Sequence, residues 1–144
     1  MTTIDIICVE NNELFQQMIA MSFELIDSCL VNLKMFETSD EADSYYKSLV
    51  ENNNKPDLIL LDINLPTSSF NGIELLKRIN QEYGNSVIIG METRTTESEE
   101  IEKCKKLGAN FVLHKTSNYE FTIPAIVQDL KKFKDKKIPF KIYK

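Results

Sequence analysis

Apolar and polar positions along this chain follow two alternating rhythms. Short, β-branched or unbroken apolar runs alternate with longer stretches in which apolar residues recur every three or four positions. The runs predict strands and the stretches predict helices. Thr3–Val9 (TIDIICV) reads as β1. Residues 12–30 place Leu14, Met18, Met21, Leu25 and Cys29 at helical spacing, predicting α1 with that stripe, Met18 and Met21 included, facing the core. Residues 31–37 alternate through Val31, Leu33 and Met35, as a half-exposed β2 does. Residues 39–53 open on a capping-type Ser39-Asp40 and form α2. Residues 57–62 (DLILLD) are β3, and residues 73–83, led in by Asn71-Gly72 and stopped at Gly84, are α3. Residues 86–91 are β4, 96–107 are α4 with Gly108 as its stop, 109–115 are β5, and 118–133 are α5 with Pro124 near its first turns. Five strands alternating with five helices at short connections predict an α/β fold, with a parallel sheet covered on both faces.

Composition narrows the class. With 144 residues and 42% apolar content, the expectation is one domain over residues 1–144, its core spanning 2–133 and ending in a basic tail over 134–144. No apolar run is long enough to span a bilayer. The N-terminus has neither the basic segment nor the cleavage pattern of a signal peptide. Cys8, Cys29 and Cys104 are odd in number and form no CxxC pair, which argues against a disulfide framework or zinc site and for a reducing, cytoplasmic setting. A net charge of −5 argues against nucleic acid as a partner. The basic end, LKKFKDKKIPFKIYK, reads as a solvated last helical turn and tail; an anion-binding or docking tail is the alternative.

Candidate chemistry lies at the carboxyl ends of the predicted strands. The run Leu58-Ile59-Leu60-Leu61 suits a strand buried on both faces, and it ends on Asp62 shortly before Pro66, which cannot continue it. Open parallel sheets carry their sites at such places. β1 ends at Glu10-Asn11, Glu92-Thr93 follow β4, and β5 ends at Lys115. Carboxylates, an amide, a hydroxyl and an ammonium therefore converge, a set suited to a small, highly charged anion or to a cation plus phosphate. Each residue also has an ordinary reading: Asp62 as a turn residue, Lys115 as a solvated strand end, Asn11 or Asn12 as the cap of α1, and His114, the single histidine, as a half-exposed strand residue.

The segment PDLILLDINLP…NGIELLKRI, with KLGANFVLHK second to it, resembles the receiver domain of two-component response regulators, the CheY-like family, from about residue 2 to 133. The resemblance implies a doubly wound, flavodoxin-like (βα)5 fold with five parallel strands in the order 2-1-3-4-5. It also implies a phosphorelay role as a stand-alone phosphoprotein, with Asp62 accepting a phosphoryl group. Lys115 would hold that group and Thr93 would donate a hydroxyl to it. Thr93 stands 22 residues before Lys115, as the family spacing requires, whereas counting forward from the β4 core gives Met91. The implied metal is Mg²⁺, held by Glu10, Asn11, Asp62 and Asn64. The implied partners are a sensor histidine kinase or phosphotransfer protein, and a downstream protein reached through the α4–β5–α5 face. On this reading the chain is at most a self-phosphorylating acceptor with weak autodephosphorylation, not a conventional enzyme, and there is no room for an output domain.

Three residues depart from the family pattern. Asn11 stands where a second acid usually ligates the metal, so Mg²⁺ should bind more weakly. Val112 replaces the aromatic expected three residues before Lys115, with Phe111 beside it pointing to the other face. Thr116 replaces the proline expected after Lys115, which disfavours a cis peptide there. The departures support a second function, a pseudo-receiver: an interaction module with little or no phosphorylation. A cofactor-binding flavodoxin is a poorer fit, because VENNELF lacks a phosphate-cradling loop.

Overall fold

The structure, a computed structural model, describes residues 2–94, 97–115 and 117–144. The predicted start of α4 at Thr96, and Thr116 with its expected trans peptide, lie outside these residues. The strands are β1 Thr3–Val9, β2 Leu30–Phe36, β3 Leu58–Asp62, β4 Ile88–Thr93, β5 Phe111–His114 and β6 Lys141–Tyr143. They form one parallel sheet in the order β2-β1-β3-β4-β5-β6. The helices are α1 Glu13–Glu24, α2 Ser39–Glu51, α3 Gly72–Tyr83, α4 Ser98–Lys106 and α5 Tyr119–Lys134. The expected five-strand order is present, and a sixth strand extends it.

Alternation along the strands sorts the core into two layers. Val9, Leu61, Met91 and Val112 face α2, α3 and α4, packing with Tyr46, Leu76 and Cys104. Cys8, Leu60 and Phe111 face α1 and α5, packing with Ile19, Phe23 and Ile126. Phe111 and Val112 point to opposite faces, as strand geometry requires. Gly90 makes the second layer possible: a Cβ there would lie 2.1 Å from the Phe111 ring.

The helix starts follow capping chemistry. Asn12 caps α1, its side chain accepting the Phe15 N–H at 3.1 Å, and Asn71 caps α3 through the Glu74 N–H at 3.0 Å. The α2 cap is Thr38, one residue before the expected pair; it accepts the Glu41 N–H at 3.2 Å and donates to the Glu41 carboxylate at 3.0 Å. Glu41 thus folds back onto its own cap and holds the Thr38 hydroxyl.

Three expectations are corrected. The stripe Leu14, Met18, Met21, Leu25 of α1 is exposed rather than core, with Leu14 63% and Met21 62% accessible. α1 carries a second apolar stripe, Phe15, Ile19, Phe23 and Ile26, and that is the one packed inward. His114 is buried, not half-exposed, at the end of β5 in register with the buried Thr93 of β4. Finally, part of the expected tail is β6. Lys141, Ile142 and Tyr143 pair with Phe111, Val112 and Leu113. Tyr143 packs edge-on against Phe111, its hydroxyl donates to Asp129 at 2.6 Å, and Lys141 bonds the same carboxylate at 3.0 Å.

Candidate functional site

Strand order brings the carboxyl ends of β1, β3, β4 and β5 together. In a parallel sheet, residues in register share a face. Val9 pairs with Leu61, which places Glu10 beside Asp62, and Asp62 is itself in register with Glu92. Three carboxyl groups thus occupy one layer, and Lys115 enters it from the end of β5. Its ammonium lies 2.5 Å from Glu10 Oε1 and 2.7 Å from Asp62 Oδ2. All three are buried: Glu10 at 0%, Asp62 at 4% and Lys115 at 8% exposure. Lys115 is therefore the shared counter-charge of two carboxylates, not a solvated strand end.

The backbone fixes these carboxylates further. The Asn64 N–H donates to Asp62 Oδ1 at 3.0 Å, and the Asn12 N–H donates to Glu10 Oε2 at 3.1 Å. Gly72 opens α3 hard against this turn; a Cβ there would meet the Asp62 carbonyl oxygen at 2.0 Å. Gly72 thus lets α3 approach the strand end that carries Asp62.

The acid layer faces a cleft of about 570 Å³ lined by Asn11, Asp62, Asn64, Thr93, Arg94 and Lys115, among others. Thr93 lines the cleft, whereas Met91, two residues earlier on the same face of β4, is buried in the core. The spacing from Lys115 therefore picks the residue at the cleft, and counting along the apolar run does not. Every sequence-predicted site residue, Glu10, Asn11, Asp62, Asn64, Thr93 and Lys115, lies at or directly beneath this cleft.

Burial governs the titration of the layer. It raises the Asp62 carboxyl to about 6; the Lys115 bond opposes this and the neighbouring Glu10 adds to it. Lys115 is penalised by burial, but its bonds to Asp62 and Glu10 outweigh that and raise it, so it stays charged. Glu92 lies deepest. Burial, then the charge of Glu10, raises it to about 8, so it is protonated at neutral pH. The Tyr119 hydroxyl lies 3.2 Å from its Oε2 and the Cys8 thiol 3.9 Å from its Oε1. Sequence pattern placed Glu92 among the convergent groups but gave no sign that it sits under the site rather than in it.

One aromatic side chain lies against two cations of the cleft. No aromatic stands at Val112. Instead Phe15, on α1, lies under the cations: Lys115 Nζ is 4.6 Å and Arg94 Cζ 5.0 Å from its ring centroid. Neither Phe15 nor Arg94 was singled out by sequence; the helical period of Phe15 with Ile19 was the available signal.

The family model for the response regulator receiver domain matches residues 6–127. The chain belongs to this family. Receiver domains exchange phosphoryl groups with histidine kinases or phosphotransfer proteins, act on downstream effectors and generally use Mg²⁺ in doing so. Solved structures of similar fold include the receiver domain of an HD domain-containing protein from Pseudomonas fluorescens, with TM-score 0.76, 20% identity, and 95% of this chain and 93% of that one covered. A CheY-like receiver domain protein from Methanospirillum hungatei gives 0.73 at 20% identity, with 94% and 99% covered. A LuxR-family two-component response regulator from an Aurantimonas species gives 0.73 at 22% identity, with 91% and 87% covered. At these identities the likeness concerns the fold alone. No curated protein matches the chain. No helix among the described residues is long and apolar enough to cross a membrane.

Among the described residues no group of three or more His, Cys, Asp or Glu is placed to hold a metal ion, so a Mg²⁺ at this cleft would rely on two carboxylates. Asp62 and Glu10 are carboxylates with lone pairs beyond those their present partners use, and Mg²⁺ commonly binds through one or two carboxylates while keeping waters. Asn11 and Asn64 add neutral oxygens at the cleft. Lys115 already offsets one of the two carboxylate charges, so the attraction for a cation is smaller than two free carboxylates would provide.

Proposed function

We propose that this chain is a single receiver domain that accepts a phosphoryl group on Asp62 within a two-component relay. The observation that carries the reading is the Lys115 bridge: one buried ammonium holds the carboxylate of Asp62 at the floor of an open polar cleft. An oxygen of Asp62 attacks phosphorus, and the donor's P–N bond, if the donor is a phosphohistidine, breaks with its electron pair leaving on the imidazole. The nucleophile is the carboxylate, which predominates above about pH 6. Catalysis here is positioning and charge stabilisation. Lys115 keeps Asp62 oriented and offsets charge on the phosphoryl oxygens, and the Thr93 hydroxyl on the cleft wall donates to one of them. Mg²⁺, held by Glu10, Asp62, Asn11 and Asn64, would supply further neutralisation of those oxygens. Output goes to a partner protein on the α4–β5–α5 side, which in this chain includes β6.

The experiment is incubation with a small phosphodonor and Mg²⁺ followed by intact mass. A hydroxylamine-labile gain of one phosphate is expected, and it should vanish in Asp62→Asn. A gain that survives the substitution removes Asp62 as acceptor. No gain in the native chain favours the pseudo-receiver, a reading that the neutral Asn11 at the cleft supports.

A further inference from the structure

Lys115 is heavily committed before any phosphoryl group arrives. Its ammonium has three donors, and two already serve Glu10 and Asp62. A phosphoryl group brings a charge of roughly −1.5 to −2 and three acceptor oxygens. One remaining donor and one hydroxyl do not match that demand. A second cation stands at the same cleft: Arg94 lines it next to Thr93, and its guanidinium lies over the ring of Phe15, the ring that also carries Lys115. The two cations therefore lie within about 10 Å of each other and share one aromatic support. Among the described residues Arg94 forms no ion pair, although Glu13 and Glu100 line the same cleft. Its five donors are arranged in a planar fork that matches phosphate oxygens.

We propose that Arg94, seated on Phe15, is the second phosphoryl-binding cation of this site and supplies charge that the Asn11-containing metal set supplies only in part. The inner cleft then balances two carboxylates, Glu10 and Asp62, with two protein cations, Lys115 and Arg94. A receiver built this way needs less Mg²⁺ to accept and hold a phosphoryl group. The proposal deepens the Asp62 reading and rests on it, so its test has an arm that does not require phosphorylation.

The native chain, Arg94→Gln, Arg94→Lys and Phe15→Leu are compared in two assays. In the first, phosphorylation by phosphoramidate is followed by intact mass across a Mg²⁺ series. Arg94→Gln should raise the Mg²⁺ needed for half-maximal modification by about tenfold. Arg94→Lys, which keeps the charge but not the fork, and Phe15→Leu, which removes the seat, should fall in between. In the second, thermal midpoints are measured against inorganic phosphate without Mg²⁺. Phosphate should stabilise the native chain and lose most of that effect in Arg94→Gln. Equal Mg²⁺ dependence, or an equal phosphate response, in the native chain and Arg94→Gln overturns the proposal. If the native chain gains no phosphate mass, the Asp62 reading fails and the phosphate titration alone decides whether Arg94 binds the anion.

Discussion

Replacing Glu92 by glutamine should make the protein more stable, and increasingly so as pH rises. Glu92 is fully buried on β4, one layer with Glu10 and Asp62, and burial raises its carboxyl from an ordinary 4.5 to about 8. The unfolded chain releases this proton near the ordinary value; the folded chain holds it until about 8. Between those limits the native state carries the extra proton, so stability falls with rising pH. At about 1.36 kcal/mol per pH unit, the cost is roughly 3 kcal/mol at pH 7 and roughly 5 kcal/mol by pH 8. Glutamine keeps the size and offers an oxygen to Tyr119, but it has no proton to lose.

The assay is urea unfolding of both proteins from about pH 5 to about pH 8. The difference curve isolates Glu92, because Asp62, which titrates near 6, is present in both. Cys8 and Tyr119 are each raised by burial first and by nearby carboxylates next, which keeps both neutral across the range. The stability gained by Glu92→Gln should grow by roughly 2–3 kcal/mol between pH 5 and pH 7. A difference that stays flat would show that Glu92 is hydrated or ionised in the native state, and the view of it as a neutral floor beneath Asp62 would be wrong.

Four further outcomes follow from the same geometry. Lys115→Ala leaves Glu10 and Asp62 buried without their counter-charge and should cost about 3–5 kcal/mol at neutral pH, less at pH 5, below the raised titration of Asp62; an unchanged urea midpoint at both pH values would contradict the bridge. Asn11→Asp adds a carboxylate beside Glu10 and Asp62, so its thermal midpoint should fall without Mg²⁺ and recover with it, the affinity tightening by about tenfold; midpoints equal to the native chain at every Mg²⁺ concentration would remove Asn11 from the metal set. Gly90→Ala drives a Cβ to 2.1 Å from Phe111 and should cost about 1–3 kcal/mol, partly relieved by Phe111→Leu. Tyr143→Phe removes a 2.6 Å bond to the Asp129 carboxylate and should cost about 1.5–3 kcal/mol if β6 is docked as described; no change in the urea midpoint would mean it is not.

What was legible in the sequence depended on whether a local signal has one physical meaning. Leu58-Ile59-Leu60-Leu61 ending at Asp62 reads as a strand buried on both faces, and it is the interior strand β3. Asn71 caps α3 directly before it, whereas at α1 the sequence offered Asn11 or Asn12 and only Asn12 accepts the first-turn N–H. α1 was ambiguous for a definite reason: it has two apolar stripes, and periodicity reports that a helix is amphipathic without saying which stripe meets the sheet. The inward one holds Phe15, whose ring supports the site cations, so the same ambiguity hid part of the site. β6 was illegible because it is three residues long, follows Pro139, and carries Lys141 beside Lys144. These are the features by which edge strands avoid pairing with other chains, and they are also the features of a solvated tail. Glu92 could be placed near the site by strand counting, yet its protonation depends on depth, which no spacing encodes.

β6 also bears on how a signal could leave this receiver. In the five-strand arrangement the outer edge of β5 lies open between α4 and α5. Here Tyr143 on one face of β6 joins the core beneath α5, and Phe140 just before it packs into the layer beneath α4, with Lys105 of α4 5.8 Å from its ring. The added strand thus touches both helices of the expected output face, and it pairs with the strand that delivers Lys115 to Asp62. The route from site to surface is short in chain terms: Asp62 to Lys115, Lys115 along β5, and β5 by direct backbone pairing to β6. A shift of Lys115 would therefore act, through β5, on the sheet edge formed by β6. The outer strand of the sheet is therefore β6 and not β5, and its one lysine, Lys141, is held by Asp129 at 3.0 Å.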